Sequence, residues 1–248
     1  MIEFVDSNLM IGKRKVLREG SVYKTEDYLE LMDRCGVKSA MAYHSVAKEC
    51  DIMPGNQMLD EFLEKEKRFM GQWVIMPSDT EESFPPEELI HKMKQKNIKA
   101  VRIYPQMHNF SIKPYTCGKL FKALQAHKVP VFIEKCEIEW GDLYQLLKEY
   151  PKLPVVLCDT GYRCRRQLLP ILRECKNLYL ETSSYVPNNG VEEFCKKIGA
   201  ERMIFGSGAP NGAISGATSL IRYACISEDE KKKIASENLL RLLAEVKL

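Results

Sequence analysis

The sequence predicts an α/β protein, a (β/α)8 barrel, on three observations. Eight short, apolar, β-rich runs alternate with amphipathic helical patterns from one end of the chain to the other, the order that builds a parallel sheet wrapped by helices. The runs are nearly continuous in apolar residues, as strands buried on both faces must be. The chain has 248 residues, the size of one such barrel with nothing left over.

The strands are expected at residues 2–6 (IEFVD), 39–43 (SAMAY), 71–76 (GQWVIM) and 100–104 (AVRIY). They continue at 129–134 (VPVFIE), 155–158 (VVLC), 178–181 (LYLE) and 203–205 (MIF). The helices between them carry their own punctuation. Thr25 is placed to cap a helix with Tyr28, Leu29 and Met32 on its apolar face, and Gly36 to end it. Pro85 and Pro86 open EELIHKMKQKN, whose Leu89, Ile90 and Met93 share a face. Similar stripes run through 120–124, 143–147, 168–172 and 191–198, and the tail beyond Ser227 has Ile234, Leu239, Leu240, Leu242 and Leu243. No G-x-G-x-x-G or phosphate loop follows a strand, which argues against a doubly wound open sheet. With no linker or repeat, residues 1–248 are expected to form one domain.

The charge balance, 37 basic against 34 acidic residues spread evenly for a net +3, is too mild to point to nucleic acid or a membrane surface as partner. Nine cysteines lie singly with no C-x-x-C pair, so neither a zinc ribbon nor a thioredoxin-like motif is supported. Free thiols, a charged MIEFVDSNLMIGKRK start and no long apolar window lead to the expectation of a cytoplasmic protein.

In a barrel, the residues at the C-terminal strand ends line the site. Here these are Asp6 and Asn8, His44, then Arg102, Tyr104 and His108, then Glu134, Asp159, Glu181, Ser183 and Ser207, with Tyr162, Arg163, Arg165 and Arg166 in the loop GYRCRR.

The stretches FVDSNLMIG, KAVRIYP, VVLCDTGYR, NLYLETSS and ERMIFGSGAP resemble strands one, four, six, seven and eight of the amidohydrolase-related family, metal-dependent barrel hydrolases and decarboxylases. The resemblance spans nearly the full chain. It implies the barrel fold, hydrolase or lyase chemistry and a homodimer. It also exposes departures. The two strand-one histidines stand as Asn8 and Met10, the strand-five histidine falls near Glu134, the strand-six histidine is Asp159, and the strand-eight aspartate is Gly208. Zinc seeks imidazole nitrogen and thiolate sulfur, so the family's zinc centre is not expected. Mg2+ or Mn2+ on Glu134, Asp159 and Asp6 is the alternative, opposed by Arg102 and Arg163 facing the same space.

Without a metal, Glu134 and Asp159 are the candidates to divide acid and base roles, with His44 and His108 as proton carriers. Arg102 and Arg163 are expected to hold an anionic group, and Asn8, Tyr104, Tyr162, Ser207 and Gly208 to complete the substrate site. The same acids and arginines serve equally as a structural network. Gly208 leaves two readings: part of a backbone nest for an anion in GSGAPNG, or the trace of a discarded metal site. The expected function is hydrolysis, or a related lyase or decarboxylase reaction, on a small anionic metabolite. The alternative is a silent barrel that binds a metabolite or a partner protein.

Overall fold

In the computed structural model, residues 2–17 and 22–248 are described. Strands β1 (Phe4–Ile11), β2 (Val37–His44) and β3 (Phe69–Gly71) form one parallel sheet. Strands β4 (Trp73–Val74), β5 (Val101–Ile103), β6 (Val131–Glu134), β7 (Val155–Cys158), β8 (Leu178–Glu181) and β9 (Met203–Ile204) form another. Only Gln72 separates β3 from β4, and its N–H reaches the Ala42 carbonyl at 2.9 Å. Together they span residues 69–74, beginning and ending two residues before the single strand predicted at 71–76.

The last strand returns to the first. Ser7 N–H donates to the Phe205 carbonyl at 3.0 Å and Met10 N–H to the Ala209 carbonyl at 2.8 Å, and Leu9 bridges Ala209 in parallel. The architecture is the (β/α)8 barrel.

The helices are α1 (Thr25–Cys35), α2 (Ser45–Glu49), α3 (Ile52–Lys65), α4 (Pro86–Lys96), α5 (Pro114–Ala126) and α6 (Trp140–Glu149). They continue as α7 (Arg165–Glu174), α8 (Gly190–Lys197), α9 (Ile214–Arg222), α10 (Glu228–Lys232) and α11 (Asn238–Ala244), the last two joined by a π-helical turn. Gly36 ends α1 as the pattern predicts, in the left-handed region at φ 71°. Thr25 differs from its predicted role: the extended Lys24 takes the cap position without a side-chain bond, and Thr25 is already the first helical residue.

β1 is longer than predicted. Its polar centre, Asp6-Ser7-Asn8, breaks the apolar run, yet all eight residues are buried and the pairing with β2 shifts register between Asp6 and Leu9. That irregularity leaves polar side chains inside the ring, where each needs a partner.

Val5, Met41, Phe132, Val156 and Ile204, from five strands, meet in one buried cluster with Leu239, Leu242 and Leu243 of α11. That cluster fills the ring and the C-terminal helix closes its lower end. A second, larger cluster packs the outer strand faces against the helices. The ring is thereby left open at the end where β1, β6, β7 and β8 finish. No helix among the described residues is long and apolar enough to cross a membrane.

Candidate active site

A polar cavity of about 90 Å3 lies at the C-terminal strand ends, walled by Asn8, Tyr43, Glu134, Asp159, Ser183 and Gly208, with Ser184 and Ser207 beside them. A larger hollow of about 460 Å3 opens at the other end of the barrel, but its lining, which includes Met41, Lys67, Lys99 and Leu240, contains no acid, histidine or hydroxyl. The small cavity is therefore the candidate site. Three of its wall residues hold left-handed backbone: Asp159 (φ 50°), Ser184 (φ 56°) and Gly208 (φ 68°). Such conformations gather where a fold positions groups for function.

Glu134 ends β6 between two cations. Lys48 Nζ stands 2.6 Å from its Oε1 and Arg102 Nη1 3.5 Å from the same atom. Burial pushes the Glu134 carboxyl up, but Lys48 and Arg102 together outweigh it and hold it below the ordinary value of 4.5. Glu134 is therefore a carboxylate at neutral pH. Arg102 is fully buried, stacked 4.2 Å over the Tyr43 ring. Its Nε donates to Gln72 Oε1 at 2.8 Å and its Nη2 to Asn8 Oδ1 at 2.9 Å. Its Nη1, like Gln72 Nε2, is buried without a hydrogen-bond partner among the described residues.

Asn8 is the hub. Held by Arg102 through its oxygen, it turns Nδ2 toward Glu181 Oε2 (3.0 Å) and Ser183 Oγ (3.2 Å). Its own N–H donates to Asp6 Oδ1 at 3.0 Å. Two fully buried acids thus flank it, each capped by a serine. Asp6 takes the Ser207 N–H at 2.9 Å and the Ser207 hydroxyl, while Glu181 takes the Ser183 N–H at 2.6 Å and the Ser183 hydroxyl. Burial raises both, against the hydrogen bonds from their serines, and Glu181, further raised by Asp6, is pushed up to about 7.

The structure brings Asn8, Glu134, Asp159, Ser207 and Gly208 together in one cavity. Arg102 stands behind Glu134 and Asn8, and Tyr104 is fully buried with its ring 4.6 Å below Lys48 Nζ. Tyr162 and Arg163 are exposed in the loop after β7, the guanidinium 5.2 Å over the tyrosine ring. Arg165 pairs with Glu193 at 2.6 Å, away from the cavity.

The two histidines lie outside the cavity wall. His44 Nδ1 accepts the Val46 N–H at 3.1 Å and so caps α2. His108 Nε2 is 2.8 Å from the Lys48 carbonyl oxygen, which fixes the proton on Nε2. Both hold the short helix that carries Lys48. Lys48 itself was not foreseen; its signal was only its place, one turn beyond the end of β2 in HSVAKE.

The anion nest anticipated around Gly208 is not formed, because its N–H groups are spent. Gly206 N–H goes to Thr182 Oγ1 (3.0 Å), Gly208 N–H to the Asn8 carbonyl (3.0 Å) and Gly212 N–H to the Gly208 carbonyl (2.9 Å). Gly208 answers a different demand. Its φ is left-handed, and a Cβ there would meet Ser183 Cβ at 3.0 Å.

With fold and site in view, comparison with known proteins places the chain. The profile of the Amidohydrolase family matches residues 23–244: the chain belongs to that family. No curated protein matches this sequence. Among solved structures it is similar to 5-carboxyvanillate decarboxylase from Sphingomonas paucimobilis, at TM-score 0.78 and 13% identity over 98% of this chain and 99% of that one. It is similar to 2,6-dihydroxybenzoate decarboxylase from Rhizobium, at TM-score 0.75 and 16% identity over 98% and 99%. A third is dihydroxybenzoic acid decarboxylase from Polaromonas sp. JS666 with bound manganese and the inhibitor 2-nitroresorcinol, at TM-score 0.74 and 17% identity over 98% and 97%. At these identities the likeness speaks for the fold.

Manganese in a relative asks whether these residues fit a divalent cation. They fit poorly. Among the described residues no group of three or more His, Cys, Asp or Glu could hold a metal ion. Glu134 faces Lys48 and Arg102, whose fixed charges repel a cation, and Asp6 spends its oxygens on Ser207 and Asn8.

Proposed function

We propose that this chain is a hydrolase or lyase of small anionic molecules that works without the metal centre found in relatives. The observation that carries the reading is the ionised Glu134 held between Lys48 and Arg102 on the wall of a small polar cavity. A carboxylate in that position is a general base for water or a substrate proton. The two cations, with Gln72 Nε2 behind them lacking a hydrogen-bond partner among the described residues, supply fixed positive potential for charge that develops on a bound oxygen.

Asp159 at the rim is the second acid–base candidate, exposed where Glu134 is sheltered. Asn8, Ser207 and Gly208 shape the wall, and the exposed Tyr162 and Arg163 of the loop after β7 are the candidates to meet the outer part of a substrate. His44 and His108 enter as supports of α2. A volume of about 90 Å3 suits a carboxylate-sized group, well under the roughly 300 Å3 of pockets that engulf a drug-sized ligand. An aromatic acid of the kind named for the relatives would seat its carboxylate inside and leave its ring at the rim.

The test is turnover of a panel of small lactones, amides and aromatic carboxylic acids, followed by NMR and carbon dioxide release. Glu134→Gln, checked for folding by circular dichroism, should abolish the turnover found. A wild-type chain that binds a carboxylate but turns over none of the panel supports the silent barrel instead.

A further inference from the structure

Glu181 is a fully buried acid with no basic side chain in contact among the described residues, and Glu134 and Asp159 leave it no part in the scheme above. Its partners are the Ser183 N–H and hydroxyl and the Asn8 amide. The groups facing it are Asp6 from β1, Cys158 from β7 and, beyond Asn8, Arg102 from β5. The chain beside β8 is bare to admit it: a Cβ on Gly206 would sit 2.1 Å from Glu181 Oε1. Ser183 Oγ, on the cavity side, is fixed by Asn8 Nδ2 (3.2 Å) and the Asp159 N–H (3.3 Å). One hydroxyl therefore connects a sequestered carboxyl to the cavity.

We propose that Ser183 and Glu181 form a proton-transfer pair, with Ser183 Oγ touching the bound anion and Glu181 holding the proton behind it. The pair rests on the reading that the cavity takes an anion. A neutral Glu181 donates to Ser183 Oγ in place of the long Asp159 N–H contact, since the hydroxyl accepts two hydrogen bonds at most, and frees the serine hydrogen to point at the ligand. In transfer, the Ser183 O–H bond breaks as a bond to hydrogen forms on the ligand oxygen. Glu181 returns its proton to Ser183 Oγ and is left as a carboxylate, and solvent at the exposed Asp159 rim restores the proton. No electrons move and no co-reactant is needed. Ser183 is the catalytic group; Glu181 acts through it. Burial pushes the Glu181 carboxyl up to about 7, which agrees with a proton that can be given up and regained near neutrality.

The experiment is calorimetric titration of the full chain with acetate in two buffers of different ionisation heat. At about pH 8, where free Glu181 is a carboxylate, the wild type should take up about one proton per acetate bound, and the uptake should vanish at about pH 5.5. Glu181→Gln should bind acetate without uptake. Ser183→Ala, a smaller change should the first variant fail to fold, should also lose it. Uptake that persists in either variant, or wild-type binding with no uptake at about pH 8, overturns the pair and leaves the functional reading standing. No acetate binding by the wild type overturns the functional reading, and the pair with it.

Discussion

Lys48 Nζ lies 2.6 Å from Glu134 Oε1, joining the short helix after β2 to the end of β6 across the barrel mouth. Arg102 closes on the same oxygen from below at 3.5 Å. Two cations and one carboxylate make an unequal set, so removing the single anion has the larger consequence. Glu134→Gln leaves both positive charges without a counter-charge and should destabilise the protein by about 3 kcal/mol. Lys48→Met, which leaves Arg102 in place, should cost less. Urea unfolding at neutral pH measures both, and the reverse order would refute the arrangement.

The buried acids push stability in opposite directions with pH. Glu134 sits below its ordinary value in the fold, so its contribution is complete above about pH 4.5 and is lost as pH falls through the depressed folded value. Glu181 sits above, so unfolding releases its proton, and stability declines as pH rises between 4.5 and about 7. That rise is worth about 3 kcal/mol at about 1.4 kcal/mol per pH step. Glu181→Gln should flatten the stability profile across this window; an unchanged slope would show that Glu181 is not the group responsible.

Gly206 and Gly208 should respond differently to alanine. At Gly208 the strain of a left-handed alanine adds to a 3.0 Å approach to Ser183 Cβ, for a loss of about 1–3 kcal/mol. At Gly206 the new methyl meets Glu181 Oε1 at 2.1 Å and must displace the carboxylate. Combining Gly206→Ala with Glu181→Ala should recover part of that loss in a double-mutant cycle, whereas Gly208→Ala, which reaches Glu181 only through Ser183, should couple to Glu181→Ala more weakly. Equal coupling in both pairs would count against the close packing of Glu181 on Gly206.

Manganese offers a direct check on the donor set. A metal bound to the folded chain raises the melting temperature by mass action. With Lys48 and Arg102 on Glu134, millimolar-range Mn2+ should leave the wild-type melting temperature unmoved, and chelator should leave any turnover intact. A saturable rise with Mn2+ in the wild type that disappears in Glu134→Gln would overturn the metal-free reading.

Much of the barrel was legible because each strand announces itself as an apolar run: the expectations at 155–158 and 178–181 coincide with β7 and β8. β1 was only half seen, since Asp6, Ser7 and Asn8 break the hydrophobic pattern, and their partners, Phe205 for the Ser7 N–H and Glu181, Ser183 and Ser207 for the Asn8 and Asp6 side chains, are distant in sequence. The acids and Asn8 at the mouth could be read from strand ends. Lys48 could not, because a lysine one turn into a helix normally faces water, and its inward course depends on Glu134, 86 positions away. His44 and His108 show the same limit. Their side chains bind backbone of α2, His44 two residues away and His108 from far along the chain, a role that residue type alone does not reveal.

The lysine on α2 is anchored at both ends of its short helix, by a histidine cap and by a histidine on its own carbonyl. A charge installed this way arrives with translation rather than by uptake from the surroundings. On the metal-free reading proposed above, no scavenger could strip it and no competing ion displace it, so the pocket's charge would not track the mineral supply of the cell.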